Sequence, residues 1–209
     1  MYGALAGALF LLPIQLQQVA GYTALQAGIS LLPLTAIMLV LSARSGALAA
    51  RIGPRLQMSV GPILVGAGLA LFTGIGPTGG YATEVLPAVT VLGLGLATTV
   101  APLTATVLAA VPARHAGMAS AVNNDVARAA GLIAVAVLPS AAGITGAAYL
   151  DPRQFSAGFH TASLISAALC VLGGVLAAAT IRGPHPAAVR PRPGRRLHCP
   201  LDAPPASRS

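Results

Sequence analysis

The stretch LLPIQLQQVAGYTALQAGISLLPL, residues 11–34, contains the end of one long apolar run and the beginning of the next. The two runs cover residues 2–19 and 24–43, and a short glycine-containing interruption separates them. Each run is long enough, as a helix, to cross a hydrocarbon layer of about 30 Å. The stretch therefore predicts two consecutive transmembrane helices joined by a turn.

The composition extends this pattern to most of the chain. Of 209 residues, 56% are apolar and 8% are charged, whereas about a quarter of the residues of a soluble domain are charged. The sequence therefore predicts an all-α integral membrane protein. The predicted spans are 2–19, 24–43, 57–76, 83–109, 117–141 and 160–181.

The two ends of the chain differ in character. The first span has no basic segment before it and is too long for the apolar region of a signal peptide. Residues 182–209 are rich in proline and arginine and contain little that could be buried. We therefore expect one membrane bundle over residues 1–181 and a disordered basic tail over 182–209.

The arginines cluster in alternate loops. They are Arg44, Arg51 and Arg55 after the second span, Arg114 after the fourth, and Arg182, Arg190, Arg192, Arg195, Arg196 and Arg208 after the sixth. The other loops contain Glu84, Asp151 and one arginine, Arg153. Because cytoplasmic loops carry the excess of basic residues, this pattern predicts an even number of spans with both termini in the cytoplasm.

Several classes of function lack support in the sequence. The basic tail has no lysine and no aromatic residue for base stacking, so the net charge of +8 does not indicate nucleic-acid binding. We expect the tail to be attracted to anionic lipid headgroups. The histidines are scattered, there are no paired carboxylates, and neither Cys170 nor Cys199 has a metal-ligand spacing. The sequence predicts neither an enzyme nor a cofactor or metal site.

Polar residues inside the spans are the candidate functional residues, because they are costly in the membrane. The first span contains Gln15, Gln17 and Gln18, and the fourth contains Thr98 and Thr99 near Pro102. These six are candidates for a substrate cavity. The competing interpretation is structural, since intramembrane threonines often bond their own helix and glutamines often bond neighbouring helices.

Three segments carry a family resemblance. Residues 11–34, GALAARIGPR at 46–55 and LPAVTVLGLGLATTVAPLTATVLAAVPARHAGMASAVNN at 86–124 resemble the C-terminal half of a major facilitator superfamily transporter, with the 14-span drug:proton antiporters as the closest branch. The resemblance implies two six-helix bundles, each of two inverted three-helix repeats, that rock about a central site. It further implies that spans 1 and 4 line the cavity, spans 2 and 5 meet the other half, and spans 3 and 6 lie outside.

The segment 46–55 is similar to the cytoplasmic loop signature of this family. Gly46 and Gly53 are expected to allow a tight turn, and Arg51 and Arg55 to pair with acids or helix C-termini. Ala50 stands where the family usually has aspartate, so the conformational latch that this acid would form is in question. A loop that is basic only because of its membrane topology is the alternative.

The fifth span contains the cluster NNDVAR, residues 123–128. Asp125 and Arg128 are at i, i+3 spacing, and Asn124 and Arg128 at i, i+4, so they share one helix face. Exposing this face to lipid is costly, so we expect a bundle interior to receive it. Asn123, Asn124, Asp125 and Arg128 either pack the two halves together as a self-neutralising group, or Asp125 couples transport to protons.

The functional expectation follows from the resemblance. It implies a half-length exporter of small hydrophobic or cationic compounds in exchange for protons, in the inner (cytoplasmic) membrane of a bacterium. The expected partners are membrane lipid and either an N-terminal half or a second copy in a homodimer. The alternatives are a truncated or non-transporting membrane module and a solute importer of the same superfamily.

Overall fold

The computed structural model describes residues 1–77, 80–109 and 111–181; the predicted tail lies outside these ranges. Within them the chain is helical and contains no strand. The helices are α1 Tyr2–Gln18, α2 Ala24–Ile29, α3 Leu32–Ile52, α4 Pro54–Leu71, α5 Leu86–Ala109, α6 Ala116–Ala141 and α7 Pro152–Thr180. A single wide π turn, Tyr81–Val85, leads into α5.

Five helical segments are long and apolar enough to cross a membrane. They are Ala24–Ala49, Pro54–Gly74, Tyr81–Leu108, Ala116–Ala141 and Pro152–Thr180. Helix α1 has 17 residues, at the lower limit for a membrane span, so its crossing stays a prediction. Helices α3 and α7 are longer than the apolar runs predicted, since α3 continues to Ile52 and α7 starts at Pro152.

Local chemistry sets the start of α2. Gly21 has a φ of +72°, a left-handed conformation that glycine adopts without strain, and it turns the chain after α1. Thr23 then accepts a hydrogen bond from the backbone N–H of Gln26 at 3.2 Å, while the Gln26 side chain accepts one from the Thr23 N–H at 2.9 Å. This reciprocal capping box satisfies two N–H groups that would otherwise lack partners.

The turn between α3 and α4 is a single residue. Gly53 has a φ of +86° and ends α3, and Pro54 occupies the first helical position of α4. Proline is tolerated there because that N–H has no helical partner. Helices α3 and α4 are therefore consecutive antiparallel helices with almost no loop.

The helices of each half of the chain pack mainly on the first helix of the other half. Helices α3 and α4 of the first half pack on α5, and helices α6 and α7 of the second half pack on α1. Helices α4 and α7 also pack against each other. Each unit of three successive long helices therefore places its second and third helices on the first helix of the other unit. This arrangement is consistent with two related three-helix repeats.

Glycines permit the closest helix contacts. A Cβ added at Gly95 of α5 would lie 2.5 Å from the backbone nitrogen of Val65 in α4. A Cβ added at Gly174 of α7 would lie 2.7 Å from the backbone carbonyl oxygen of Ser59 in α4. The larger core side chains fill the other end, where the rings of Phe72 and Phe159 stack at 6.3 Å. Helix α4 is thus held closely between α5 and α7.

Two long-range contacts identify the ends of the bundle. At one end, where α3 joins α4, the Arg55 side chain reaches the carbonyl of Ala178 near the end of α7. At the other end, Gln15 of α1 reaches Ile75 and Ser156. We call these the basic end and the acidic end, because the first has Arg51 and Arg55 and the second has Glu84 and Asp151. Helices α3 and α6 are the least buried of the five long segments.

Candidate functional site

Gln15 lies inside the bundle and not in a cavity. Its side chain has 0% exposure, and its amide nitrogen donates to the carbonyl oxygen of Ile75 at 3.0 Å and to the Ser156 hydroxyl at 3.2 Å. These bonds tie α1 to the α4–α5 connection and to α7. The structure therefore gives Gln15 the structural role that was the competing interpretation.

Gln17 and Gln18 lie at the exposed end of α1. The Gln17 amide donates to the carbonyl of Pro13 at 3.1 Å, which is a bond within its own helix. The Gln17 side chain stays at the surface of the bundle, and Gln18 is exposed beside it. Both side chains therefore remain available to a partner, and they are separated from Gln15, which points inward.

The α5 threonines bond their own helix. The Thr98 hydroxyl donates to the Leu94 carbonyl at 2.7 Å, and the Thr99 hydroxyl donates to the Gly95 carbonyl at 2.8 Å. Thr99 and Pro102 are buried, whereas Thr98 lies at the floor of a groove between α3 and α4. Among the described cavities, none joins these residues to the glutamines of α1.

The loop signature is mostly helical. Gly46 lies within α3, where a Cβ would be 3.6 Å from the Ala101 side chain of α5, so the prediction that Gly46 forms the turn is wrong. Helix α3 simply continues past the apolar run. Gly53 alone makes the turn, and Arg51 is exposed in the last turn of α3.

Arg55 contacts a helix C-terminus. Its Nε and Nη2 atoms donate to the Ala178 carbonyl at 3.3 and 2.9 Å. Ala178 is in the last turn of α7, where carbonyls lack helical partners and the helix dipole attracts a cation. Of the two kinds of partner expected for this arginine, the structure shows the helix end.

The polar cluster of α6 faces away from its own bundle. Asn124, Asp125 and Arg128 are exposed, and Asn123 is half-buried. Asn124 donates to the Ser120 carbonyl at 3.1 Å, but no hydrogen bond joins Asp125 to Arg128 among the described residues. The expected burial of this face is therefore not provided by the chain's own helices, because α6 packs on α1 through Ala130, Gly131 and Leu138.

An apolar cavity of about 530 Å³ lies beside this cluster. Val107 and Val111 form one wall at the end of α5, and Met118, Val122 and Val126 form the other on α6. Its polar lining residues are His115 and Asn123. An apolar cavity with few polar groups suits a hydrophobic ligand, and it places Asn123 next to such a ligand.

Sequence reasoning missed Gln57. This residue is 4% exposed, and its amide nitrogen donates to the Ser45 carbonyl at 3.1 Å, while the Ser45 hydroxyl donates to the Thr98 carbonyl at 3.3 Å. The three residues connect α4, α3 and α5. The available signal was helix periodicity, since Gln57 shares the buried i, i+4 row with Gly61 and Val65.

Within residues 1–77, 80–109 and 111–181, no group of three histidine, cysteine, aspartate or glutamate side chains could hold a metal ion. The polar groups that the structure does bring together are amides, hydroxyls and arginines. These groups can bind and orient a ligand by hydrogen bonding and charge.

Comparison with known proteins agrees with the helical architecture. The family model described as Major Facilitator Superfamily matches residues 1–136. The chain is 33% identical over 132 residues to the tetracenomycin C resistance and export protein of Streptomyces glaucescens, covering 63% of this chain and 24% of that protein. It is 32% identical over 153 residues to the multidrug resistance protein Stp of Mycobacterium tuberculosis, covering 73% of this chain and 28% of that protein.

A third relative is the puromycin resistance protein pur8 of Streptomyces alboniger, 34% identical over 152 residues, covering 70% of this chain and 30% of that protein. The matches thus span between 24% and 30% of the length of these relatives. The resemblance seen in residues 11–34, 46–55 and 86–124 and the family match agree. This chain belongs to the major facilitator superfamily of multi-pass membrane transporters.

Proposed function

We propose that this chain forms one six-helix half of an exporter that moves small hydrophobic or cationic compounds out of a bacterial cell in exchange for protons. The names of three relatives refer to tetracenomycin C resistance and export, multidrug resistance and puromycin resistance. The observation that carries the proposal is the exposed polar face of α6. A membrane helix that exposes Asn124, Asp125 and Arg128 needs a polar partner surface.

A second bundle would supply that surface. Helices α3 and α6 are the least buried of the long segments, and each packs on only one major neighbour in the bundle. Unpaired polar side chains on such helices are stable when a facing bundle hydrogen-bonds them. The second bundle is another part of a longer polypeptide, a separately encoded half, or a second copy of this chain.

The topology belongs to the same proposal. In our proposal α1 crosses the membrane as a sixth span, residues 1–181 form a single bundle, and both termini lie in the cytoplasm. The concentration of arginine at the basic end supports this orientation, since basic residues are retained on the cytoplasmic side. The protein would then reside in the bacterial cytoplasmic membrane.

The cavity beside Asn123 supports the substrate class. Its walls are valine and methionine side chains from α5, from the connection after it and from α6, and its polar groups are few. A hydrophobic compound gains affinity by leaving water for such walls, at about 25 cal/mol per Å² of buried apolar surface. Asp125 is one position from the wall residue Val126 and attracts a cation or a proton, so it is the candidate coupling residue.

Proton-driven dye efflux tests the proposal. Inside-out vesicles containing this chain, alone or with a co-expressed second bundle, would be energised and the accumulation of a hydrophobic cationic dye measured. Coupling through Asp125 predicts that Asp125→Asn abolishes accumulation while Asn123→Ala retains it. Full activity of Asp125→Asn would remove that role.

The alternatives give different results in the same vesicles. A non-transporting membrane module accumulates no dye even when a second bundle is present. A solute importer coupled to protons by symport moves its compound in the same direction as the protons, whereas the proposed exporter moves its compound against them. The direction of movement under the two gradients therefore separates exporter from importer.

A further inference from the structure

The cavity between α5 and α6 has a positive charge at one of its ends. His115 lines this cavity of about 530 Å³, and the Nε atom of the preceding Arg114 donates to the Nε2 atom of His115 at 2.9 Å. The hydrogen bond holds the guanidinium beside a side chain of the cavity wall. Arg114 is exposed and has no other hydrogen bond among the described residues, so its remaining N–H groups can meet a ligand.

The direction of α6 shows which end of the cavity this is. A Cβ added at Gly3 of α1 would lie 2.8 Å from the Ala130 carbonyl oxygen, and one added at Gly7 would lie 2.6 Å from the Leu138 side chain. Helix α6 therefore runs beside α1 in the same direction. Since α1 finishes at the acidic end, α6 begins at the basic end, next to Arg114.

The apolar wall of the cavity extends from His115 into the membrane. Met118, Val122 and Val126 line the cavity at four-residue spacing along α6, so they form one row on the helix. Val126 is eleven residues after His115, which corresponds to about 16 Å along a helix. A compound with its polar end at His115 would therefore have its apolar body directed away from the basic end, towards the middle of the membrane.

The same hydrogen bond determines which donor His115 offers. An arginine side chain is always protonated and has no acceptor, so the Nε2 atom that receives its N–H is unprotonated. The neutral imidazole then carries its hydrogen on Nδ1. The ring makes no other hydrogen bond among the described residues, so its Nδ1–H group can donate to a ligand oxygen.

The described lining of the cavity contains no acidic side chain. Asp125 is exposed and is not a lining residue, because it is one position, or about 100° around the helix, from the wall residue Val126. A cationic ligand in the cavity would meet the Arg114 charge with no carboxylate in the wall to offset it. An anionic ligand would be attracted by the same charge.

We propose that the α5–α6 cavity binds hydrophobic anions, with a carboxylate or phenolate oxygen on the His115 Nδ1–H group and Arg114, and the apolar body along Met118, Val122 and Val126. This inference rests on the proposed function, because it concerns the same cavity, and it narrows the hydrophobic compounds that enter it. Cationic compounds would bind outside the cavity, where Asp125 is exposed.

Protection of an engineered cysteine measures occupancy of the cavity. In a full chain carrying Cys199→Ser, Ala119→Cys puts a thiol on the cavity wall, while the native Cys170 is 0% exposed. Alkylation by N-ethylmaleimide would be timed in an uncharged detergent with three diphenylhexatriene dyes, which carry a propionate, no charge or a trimethylammonium group. The dyes would be compared at equal micelle-bound amounts, read from their fluorescence.

We expect the propionate dye to protect the thiol best and the trimethylammonium dye least. The half-protecting amounts of these two dyes should differ about fivefold, as for an exposed charge pair. Phosphatidylglycerol at the same mole fraction tests a lipid as the source of the anion, and it should protect less than the propionate dye. Binding is measured without a proton gradient, so a wrong order of the dyes would leave the efflux result untouched, and absent efflux would leave this order.

Two arginine variants make the result specific. Arg114→Gln should abolish the difference between the two charged dyes while the uncharged dye protects as before. Arg51→Gln removes another exposed arginine of the basic end and should keep the difference. Circular dichroism would verify that both variants are folded.

A thiol at Thr145→Cys, an exposed position between α6 and α7, should be protected by none of the dyes. Equal protection of the Ala119→Cys thiol by the three dyes, or best protection by the trimethylammonium dye, would overturn the proposal. So would an equal loss of the difference in Arg51→Gln, or protection by phosphatidylglycerol as strong as that by the propionate dye.

Discussion

Arg55 donates two hydrogen bonds to the carbonyl oxygen of Ala178, a residue 123 positions later in the chain. The contact joins the start of α4 to the end of α7 at the basic end. It supplies a donor to a carbonyl that the end of the helix leaves without a partner. The arginine thus adds a polar contact to the close packing of two helices that come from different halves of the chain.

We predict that Arg55→Gln lowers the free energy of unfolding by about 1 kcal/mol, because the hydrogen bonds and the favourable helix-dipole interaction are both lost. Thermal unfolding in detergent, followed by circular dichroism, measures the effect. Arg51→Gln is the matched control, since Arg51 is exposed and has no hydrogen bond among the described residues. Equal destabilisation by the two variants would show that only net charge matters.

Gln15→Ala should be destabilising by about 1–3 kcal/mol, because the change leaves a buried backbone carbonyl without its donor. That carbonyl belongs to Ile75, itself 1% exposed. The measurement is chemical or thermal unfolding of the purified chain. Gln18→Ala, at an exposed position of the same helix, should change stability little. If both variants unfolded alike, the buried amide would have no special role.

The neighbouring glycines Gly173 and Gly174 should respond oppositely to alanine. A Cβ at Gly174 would lie 2.7 Å from the Ser59 oxygen, whereas a Cβ at Gly173 would have nothing within 4 Å. Gly174→Ala must push α4 and α7 apart and should cost about 1–3 kcal/mol. Gly173→Ala should be neutral or stabilise by up to about 1 kcal/mol, because alanine is the better helix former. The unfolding temperatures of the two variants measure this difference in stability, and identical values would contradict the close packing of α4 and α7 at Gly174.

Asp151 makes stability depend on pH at the acidic end. The backbone N–H groups of Gln154 and Arg153 donate to its carboxylate and hold its pKa below the ordinary value of 3.8. A lowered folded-state pKa means that the contribution is complete above the unfolded-state pKa and is lost as the pH falls through the folded-state pKa. The relevant window therefore lies below about pH 4.

The unfolding temperature of the wild-type chain should accordingly fall more steeply in this acid window than that of Asp151→Asn. Asparagine still caps a helix N-terminus but carries no charge to lose. Parallel curves for the two proteins across the window would show that the Asp151 carboxylate does not contribute.

Cysteine labelling tests the proposed orientation. In a chain carrying Cys199→Ser, the remaining native cysteine, Cys170, is 0% exposed and should resist a membrane-impermeant maleimide. Arg114→Cys should react only from the cytoplasmic side, and Thr145→Cys, between α6 and α7, only from outside. The reverse pattern would overturn the positive-inside assignment.

Hydropathy could predict the helical class and the approximate positions of the spans, because twenty apolar residues in succession have few alternatives. It could not place the ends of α3 and α7, where polar residues continue the helix. Asp151 followed by Pro152 was a readable start signal for α7, since an aspartate cap before an N1 proline is a common helix beginning.

The candidate site was less predictable than the fold. Gln15, Gln17 and Gln18 are chemically alike in the sequence, yet only the first faces the interior. Helix phase separates them, since Gln15 is four residues after the buried Leu11. Which partner a buried amide meets depends on residues far away in sequence, such as Ser156, and no local pattern contains that information.

The packing of each half of the chain on the first helix of the other half has a consequence for biosynthesis. Helix α1 packs mainly on α6 and α7, so most of the contacts of its buried face, apart from the Gln15 bond to Ile75, form only after the second half of the chain has been synthesised. The partner hydroxyl, on Ser156, is added 141 residues after Gln15, which at cellular elongation rates is a delay on the order of ten seconds. The environment of α1 is thus completed only when α7 has been synthesised.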